Sequence, residues 1–354
     1  MKAPVLELSD LSRVFARRDG LLDRALHRVG LGKPPERLVA VDGVDLSLHD
    51  GEMLGIVGES GCGKSTLGRM AAQLLPVSGG EVKFQGRAIA DLSPAEARAA
   101  RRNIQMVFQN PYASLNPAMK VRDAIMEAPL THGLVPRREI GGKLAELLSK
   151  VGLASEMADR FPHELSGGQR QRVGIARALA VSPEVIIFDE AVAALDVSVQ
   201  AQILNLLADL KEQGGFSSIF ISHDLNVVRF ISDRIAILYL GRLVELADRD
   251  TVFERPHHPY TRALLSEVPV LGAARRKFTP LKGELPSPLD PPSGCHFHPR
   301  CPFAQDICKT QRPALREVQG PVGTKHLSAC HFDLPQPTPE TGTNPVVHSK
   351  GGKS

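Results

Sequence analysis

The chain has 354 residues, of which 42% are apolar and 23% are charged. That composition is typical of a globular protein large enough for two or three domains. No apolar run approaches the roughly 18 to 20 residues that a membrane span needs. The first residues lack the apolar core and cleavage site of a signal peptide. We therefore exclude an integral membrane protein and expect the chain to stay in the cytosol.

The net charge of +4 is unevenly distributed along the chain. Residues 255–354 hold 13 Lys and Arg against 7 Asp and Glu, together with 16 of the 27 prolines and four of the five cysteines. This shift predicts a first domain over residues 1–262 and a Cys/Pro-rich extension over residues 263–333. Residues 334–354 are too polar and too rich in proline and glycine to pack, so we expect a disordered tail.

Four short apolar segments predict the strands of a parallel sheet. They are residues 54–57, 105–108, 185–188 and 218–221, and they are followed by Gly58, by Gln109, by Asp189 and Glu190, and by Ser222 and His223. Continuous rather than alternating apolar runs indicate strands that are buried on both faces. Ligands bind beyond the carboxyl ends of such strands. We therefore expect Gln109, Asp189, Glu190 and His223 to converge on one edge of the sheet.

Other segments show different periodicities. Apolar residues alternate with polar ones over residues 44–48, 82–84 and 234–246, which predicts a smaller antiparallel sheet with a turn at Gly241. Between residues 112 and 162 the spacing becomes helical, and Leu144, Leu147, Leu148 and Val151 share one face. We interpret that interval, about residues 110–165, as an inserted helical lobe.

A glycine-rich loop follows the first of these strands. The residues GESGCGKS at 58–65 fit the pattern G-x-x-x-x-G-K-[ST] and precede a helical stretch. In this pattern successive backbone N–H groups cradle phosphate oxygens, the lysine reaches the β- and γ-phosphates and the serine ligates Mg²⁺. Cys62 is most simply a small residue at a permissive position. The predicted nucleotide contacts are Gly58, Ser60, Gly61, Cys62, Gly63, Lys64, Ser65 and Thr66.

The acidic pair Asp189 and Glu190 predicts the catalytic half of this site. Asp189 supplies a hard oxygen for the Mg²⁺ that Ser65 also holds, and Glu190 is a candidate general base for the attacking water. The alternative is a solvated acidic strand end. Ser222, His223 and Asp224 do not indicate a protease, because adjacent residues on an extended chain point to opposite faces. We expect His223 to hydrogen-bond the γ-phosphate.

A second phosphate-binding sequence precedes another helix. Ser166 has the chemistry of an N-cap, and Gly167 and Gly168 allow a backbone to approach an anion closely at the positive helix end. One nucleotide does not need two complete phosphate cradles. With this LSGGQ sequence at 165–169, the chain resembles the ATP-binding subunits of ABC transporters, whose order of motifs it matches.

The resemblance covers roughly residues 5–260 and implies a fold and an assembly. The implied fold class is α/β: a P-loop NTPase (RecA-like) parallel sheet with an antiparallel β subdomain and an inserted helical subdomain, here followed by the Cys/Pro-rich extension. In this family the LSGGQ residues, here Ser166, Gly167, Gly168 and Gln169, face the nucleotide that a partner subunit holds. Two half-sites therefore close on two ATP molecules only in a dimer.

The same resemblance assigns further roles. Phe15 would stack on adenine, although packing in the core is the alternative. Gln109 would touch Mg²⁺ or the attacking water and relay the nucleotide state to the helical lobe, and Asp196 would cross the dimer interface. The sequence departs from the family at Ala191–Ala194, where Pro and Ser are common. We expect hydrolysis to be retained because Glu190 is present, with its rate open to change.

Two longer stretches of the sequence indicate a particular group within this family. QNPYASLNP at 109–117 and HHPYTRALL at 257–265 resemble the bacterial dipeptide/oligopeptide importers. The resemblance implies an ATPase that uses ATP and Mg²⁺ at the cytoplasmic face of the membrane. Its partners would be a second, related but non-identical ATPase subunit, two transmembrane permeases and an extracytoplasmic solute-binding protein, with no nucleic acid.

Two other functions fit parts of the sequence. A soluble ABC-type ATPase acting on nucleic acid would use the basic extension as its contact surface. Such proteins usually carry two cassettes or a long coiled coil, and this chain has one cassette and no sustained heptads. A degenerate subunit that binds ATP without cleaving it is disfavoured by Lys64, Asp189, Glu190 and His223.

The extension carries four cysteines, Cys295, Cys301, Cys308 and Cys330, with the spacing C-x5-C-x6-C-x21-C. In a reducing cytosol such thiols bind metal more often than they form disulfides, but this spacing is not that of a zinc ribbon. The resemblance to the importers favours a [4Fe–4S] cluster with four thiolate ligands. Four unliganded thiols are the alternative.

Overall fold

The computed structural model describes residues 3–16, 37–110, 114–267, 283–320 and 325–334. Of the expected disordered tail, residues 335–354 lie outside the described residues. The strands are β1 (Leu6–Ala16), β2 (Arg37–Leu48), β3 (Met53–Val57), β4 (Gly79–Phe84), β5 (Arg87–Ala88), β6 (Ile104–Val107), β7 (Val185–Asp189), β8 (Ser217–Ile221), β9 (Arg234–Tyr239), β10 (Arg242–Asp248), β11 (Arg316–Glu317) and β12 (Leu327–Ser328).

Helices connect these strands and cover the sheets. The α-helices are α1 (Lys64–Ala71), α2 (Pro94–Asn103), α3 (Val121–Thr131), α4 (Ile140–Lys150), α5 (Gly167–Leu179), α6 (Val197–Glu212), α7 (Leu225–Ile231), α8 (Arg249–Glu254), α9 (Pro259–Ser266) and α10 (Asp306–Thr310). Short 3-10 helices span Ile89–Asp91, Arg137–Glu139, Ser155–Asp159, Pro162–Glu164 and His298–Arg300. In the described part of the chain, no helix is long and apolar enough to cross a membrane.

The main sheet has the strand order β11-β12-β10-β9-β3-β8-β7-β6. Its centre is parallel: β9, β3, β8, β7 and β6 run in one direction. Every residue of β3, β7 and β8 is buried. The four segments predicted as parallel strands are thus confirmed, and their carboxyl ends meet at one edge of the sheet. The predicted burial holds for three of them, whereas β6 is the last strand of the sheet and its two middle residues are only partly buried.

The hairpin at residues 234–246 does not join the smaller sheet, as its alternation predicted. β9 pairs in parallel with β3, and β10 pairs with β9 across the turn at Gly241, so the hairpin extends the main sheet. The prediction was wrong because the alternation here does not reflect one solvated face. Five of the six residues of β9 are buried, as is typical of a strand covered on both sides.

The smaller antiparallel sheet has the order β2-β1-β4-β5. It contains the predicted segments 44–48 and 82–84, which pair with β1 on either side. The buried face of this sheet packs with α1 and one face of the main sheet in a shared core that includes Leu8, Val44, Leu67 and Ile187. The phosphate loop therefore lies between two sheets that share a core.

The inserted helical lobe lies between β6 and α5. Leu147, Leu148 and Val151 are buried, and Leu144 packs partly buried against the same cluster, as the helical spacing predicted. Val173 of α5 belongs to this cluster. Because the cluster continues into the main sheet, the lobe and the sheet edge that ends in Glu190 share one apolar core.

The C-terminal extension is built onto the main sheet. β12 pairs with β10, where Ser328 lies opposite Glu245. The Glu245 side chain is fully buried and accepts the backbone N–H groups of His257 and His258 and a bond from His326 Nε2 at 2.7 Å. Burial acts to raise the pKa of Glu245, but the bonds from His326 and from the other donors outweigh it and lower that pKa.

Candidate nucleotide site

The phosphate loop joins β3 to α1 and depends on two glycines. A Cβ on Gly58 would lie 2.2 Å from the backbone oxygen of Leu238, and one on Gly63 would lie 2.1 Å from that of Ala40. Gly63 also has φ +102°, in the left-handed region that disfavours other residues. Ser60 and Gly61 lie exposed at the crown of the loop, where phosphate can approach them.

Lys64 is held inside the curve of the loop. Its side chain is buried, and Nζ donates to the backbone oxygens of Gly58 at 2.7 Å and Glu59 at 3.0 Å. Cys62 is buried next to it, and burial raises the pKa of its thiol. A neutral, buried thiol agrees with the interpretation of Cys62 as a small packing residue.

A pair of hard oxygen donors lies at the start of α1. The Ser65 hydroxyl donates to Asp189 Oδ1 at 2.6 Å. Asp189 is buried, and burial raises its pKa, although the Ser65 bond and the charge of Arg69 act in the opposite direction. A hydroxyl and a carboxylate from two elements are ligands that Mg²⁺ prefers. Ser65 and Asp189 therefore fit the predicted Mg²⁺ site.

Three predicted catalytic side chains meet beyond the sheet edge. Gln109 Nε2 donates to Glu190 Oε2 at 2.9 Å, and His223 Nδ1 lies 3.4 Å from Glu190 Oε1. Glu190 has φ +48°, and its backbone N–H donates to the oxygen of Ile221 at 3.0 Å. The carboxylate is thus fixed from both sides, and its side chain is 18% exposed, which leaves a face open to a water molecule.

The second predicted phosphate cradle forms the N-terminus of α5. Ser166 Oγ accepts the N–H of Gln169, and Gln169 Oε1 accepts the N–H of Ser166, which is a capping box. Ser166 and Gly167 are exposed. Gly168 is buried against Val199, whose side chain would lie 2.4 Å from an added Cβ. This cradle therefore presents an open helix end to the outside of the molecule.

The remaining predicted contacts occupy separate positions. Asp196 is exposed and caps α6, accepting the N–H of Val199 at 3.0 Å. Phe15 is partly buried on β1, and the Arg13 guanidinium lies 4.7 Å from its ring centroid. Thr66 lies partly buried in the first turn of α1.

Comparisons with known proteins identify the family. The "ABC transporter" family matches residues 41–193, and the "Oligopeptide/dipeptide transporter, C-terminal region" family matches residues 244–308. The chain is 51% identical over 332 residues to the oligopeptide transport ATP-binding protein AppF of Bacillus subtilis (strain 168). The matched region covers 93% of this chain and 97% of AppF. The chain belongs to the ATP-binding subunits of ABC transporters.

Further relatives agree with this assignment. The oligopeptide transport ATP-binding protein OppF of Escherichia coli (strain K12) is 48% identical over 315 residues, covering 88% of this chain and 92% of that protein. The dimeric post-hydrolysis structure of the ATP-binding cassette MJ0796 bound to ADP and Pi is 31% identical, with a TM-score of 0.57 over 69% of this chain and 98% of that one. As an ABC ATP-binding subunit, the chain binds ATP with Mg²⁺ and hydrolyses it to drive transport. The alternative of an ATPase acting on nucleic acid is not favoured.

The four extension cysteines of this ABC subunit, Cys295, Cys301, Cys308 and Cys330, line one small cavity. Burial raises the pKa of Cys295, Cys301 and Cys330, and the nearby cysteines contribute in the same direction. Within the described ranges, however, no three His, Cys, Asp or Glu side chains are placed to coordinate a metal ion. The iron–sulfur expectation is therefore not confirmed.

Sequence reasoning missed two side chains that contact the phosphate loop. Tyr260 and Arg300 both bind Glu59, the second residue of that loop. Tyr260 falls in the HHPYTRALL sequence and Arg300 lies between Cys295 and Cys301, but neither stretch indicates a contact with the phosphate loop. Nothing local in the sequence signals a contact across 241 positions.

Proposed function

We propose that this ABC subunit energises the import of di- and oligopeptides, as one of two related ATPase subunits on the cytoplasmic face of a membrane complex. The pairing of two ATPase subunits rests on one observation, which is that the phosphate-binding groups of the chain are divided between two separate places. Lys64, Ser65 and Asp189 form one half of a nucleotide site, while Ser166 and Gly167 form a second, exposed cradle.

Hydrolysis follows from the geometry at the sheet edge. Ser65 and Asp189 would hold Mg²⁺, which would supply charge stabilisation for the phosphates of ATP. Lys64 binds the same oxygens once ATP replaces the loop carbonyls as its partners. Glu190 takes the proton of the attacking water, and Gln109 and His223 hold its two carboxylate oxygens in place. His223, whose Nδ1 lies 3.4 Å from Glu190 Oε1, would also bond the γ-phosphate.

The dimer completes each site. Ser166, Gly167, Gly168 and Gln169 would bind the γ-phosphate of the nucleotide on the partner subunit, because an exposed helix N-terminus attracts an anion. Asp196 would lie at the same interface, and Phe15 would stack on adenine. The dimeric structure of the ATP-binding cassette MJ0796 bound to ADP and Pi supports the assembly of such subunits as a dimer. Closure around two ATP molecules would then be transmitted to the permeases through the helical lobe.

The cargo and the remaining partners rest on the relatives. AppF and OppF are named as oligopeptide transport ATP-binding proteins, and a relative from Escherichia coli is named DppF, a dipeptide transport ATP-binding protein. The matched C-terminal region belongs to the same group. Two transmembrane permeases and an extracytoplasmic solute-binding protein complete the proposed importer.

The extension cysteines add one further element to the proposal. A [4Fe–4S] cluster takes four cysteine thiolates, and Cys295, Cys301, Cys308 and Cys330 line one cavity, although the described side chains are not placed as metal ligands there. Iron and acid-labile sulfide should be found in stoichiometric amounts after anaerobic purification. A variant with all four cysteines changed to serine should lose both, and an iron-free wild-type protein would reject the cluster while leaving the ATPase proposal intact.

Reconstitution tests the function directly. The chain should be assembled in proteoliposomes with the two permeases, the second ATPase subunit and the solute-binding protein, and uptake of labelled di- to pentapeptides should be measured. We expect peptide uptake that requires ATP and the binding protein. Strong ATPase stimulation by DNA or RNA in the absence of permeases would instead revive the nucleic-acid alternative, with binding that weakens steeply as salt rises.

A further inference from the structure

Glu59 in the phosphate loop is held by two groups from outside the loop. Its backbone N–H donates to the Tyr260 hydroxyl at 2.9 Å. Its carboxylate accepts two bonds from Arg300, Nη1 to Oε2 at 2.8 Å and Nη2 to Oε1 at 3.0 Å. Tyr260 belongs to α9 and Arg300 to the C-terminal extension, so the extension reaches the nucleotide site directly.

The Arg300–Glu59 pair has the geometry of a strong ion pair. Two parallel bonds join a planar guanidinium to a carboxylate, and the side chains are only 6% and 24% exposed. A pair this sheltered from solvent is screened less than a surface pair. The contact therefore fixes both the direction and the effective charge of the Glu59 side chain.

Arg300 is itself held in place by packing. It ends the 3-10 helix His298–Arg300, which begins directly after Phe297. The Phe297 ring lies edge-on to Tyr239 at 5.3 Å and 5.4 Å from the ring of Tyr260, and all three rings are buried. Arg300 Nη1 also donates to the Tyr239 hydroxyl at 3.4 Å, so both groups that hold Glu59 are tied to one buried aromatic cluster shared by β9, α9 and the extension.

Glu59 is coupled to the lysine that binds phosphate. The Glu59 backbone oxygen accepts the bond from Lys64 Nζ, and it also accepts the N–H of Cys62 at 3.3 Å. A shift of Glu59 would therefore move the position from which Lys64 reaches the nucleotide. An unpaired Glu59 carboxylate would in addition repel the triphosphate that the loop must accept.

We propose that Arg300 is a positioning residue for ATP binding, which neutralises Glu59 and fixes the phosphate loop in the shape that receives the triphosphate. The inference rests on the proposed function, because it concerns the affinity of the same site. It assigns a role in setting ATP affinity to the C-terminal extension, which carries none of the motifs of the cassette. Since Arg300 does not reach the water-activating group Glu190, its loss should affect binding far more than the chemical step.

The test is a rescue experiment on the full-length chain. Arg300→Met keeps the packing of the aliphatic stem but removes the charge and both bonds. We expect the Kd for MgATP, measured by titration calorimetry, to rise roughly tenfold, the effect of losing one charge-assisted contact. In the assembled transporter the KM for ATP should rise in parallel while kcat stays within about twofold.

A second substitution separates positioning from simple structural damage. Glu59→Gln in the Arg300→Met background removes the uncompensated negative charge, and it should restore the Kd to within about threefold of the wild type. Arg316→Met is the matched control, because Arg316 is an extension arginine that pairs with Asp333 at 2.6 Å, within the extension. That control should leave the Kd unchanged.

Clear outcomes would overturn the inference. It fails if Arg300→Met binds MgATP as tightly as the wild type, or if Glu59→Gln does not restore binding. If Arg300→Met does not fold, as judged by circular dichroism, Arg300→Gln replaces it, because it also removes the charge, and an unchanged Kd in that variant would equally reject the role. A wild-type chain that binds no ATP would instead reject the proposed function, so the two failures are distinguishable.

Discussion

The substitution Glu190→Gln tests the assignment of the general base. Gln109 Nε2 donates to one carboxylate oxygen and His223 Nδ1 lies near the other. A glutamine can keep both contacts, because its amide oxygen accepts from Gln109 while its NH₂ group faces the nitrogen of His223. The folded structure should therefore be nearly unchanged, and any loss of rate reports on proton transfer.

The magnitude follows from that geometry. A positioned general base contributes roughly 10²- to 10⁴-fold to a rate, equivalent to about 3 to 5 kcal/mol of barrier. We expect kcat for ATP hydrolysis to fall at least about 100-fold in the assembled transporter. The Kd for ATP should stay the same or fall, because the change removes a negative charge near the phosphates. With hydrolysis blocked, size-exclusion chromatography with ATP should show a stable closed dimer.

Glu184→Gln provides the matched control. Glu184 precedes the same strand, β7, at its opposite end, where its carboxylate accepts from Gln85 and Asn103. The identical chemical change at that position should leave kcat within about twofold of the wild type. Turnover by Glu190→Gln at the wild-type rate would remove Glu190 as the base, and an equal loss in both variants would point to a structural effect on the strand.

Two further predictions concern the phosphate loop and the buried His258. Gly63→Ala places a Cβ 2.1 Å from the Ala40 backbone oxygen at φ +102°, so we expect the free energy of unfolding in urea to fall by about 2 kcal/mol or more and MgATP binding to weaken. The control Gly174→Ala, with open space around it, should change neither quantity. Wild-type MgATP binding by Gly63→Ala would contradict the reasoning. Burial lowers the pKa of His258 to about 4. Because the unfolded chain binds this proton from about pH 6.5 downwards, stability should fall as the pH drops from 6.5 towards 4, by about 2 kcal/mol at pH 5. His258→Asn retains a cap for α9 and should reduce that pH dependence, and an unchanged slope in its urea unfolding would reject the assignment.

The nucleotide site was predictable because its signals are local. Each polar side chain at the sheet edge directly follows a short apolar run, and parallel strands bring their carboxyl ends together whatever their separation along the chain. Gln109 and Glu190 are thus 81 positions apart in sequence and bonded at 2.9 Å in the structure. The phosphate loop is local in the same sense, since a strand, a glycine pattern and a helix follow one another.

The hairpin at residues 234–246 shows where local periodicity fails. Alternation predicts one solvated face, but β9 is covered on both sides, because it adds to the parallel sheet beside β3. Whether a strand lies at an edge or inside a sheet depends on which distant segment pairs with it. Its neighbour β10 is likewise buried because β12, from the extension, pairs with it.

The contact between Arg300 and Glu59 is also long-range in sequence. A complete phosphate-loop motif therefore does not include every contact that shapes the loop. Glu59 is a variable position in the pattern that defines the loop, so the pattern carries no information about its partner. Yet its N–H, its carboxylate and its backbone oxygen bind Tyr260, Arg300 and Lys64 respectively. The geometry of Lys64 therefore depends on side chains that lie near or beyond the end of the cassette predicted from sequence. On the role proposed for Arg300, a chain with every cassette motif intact would still lack part of its nucleotide site without the extension.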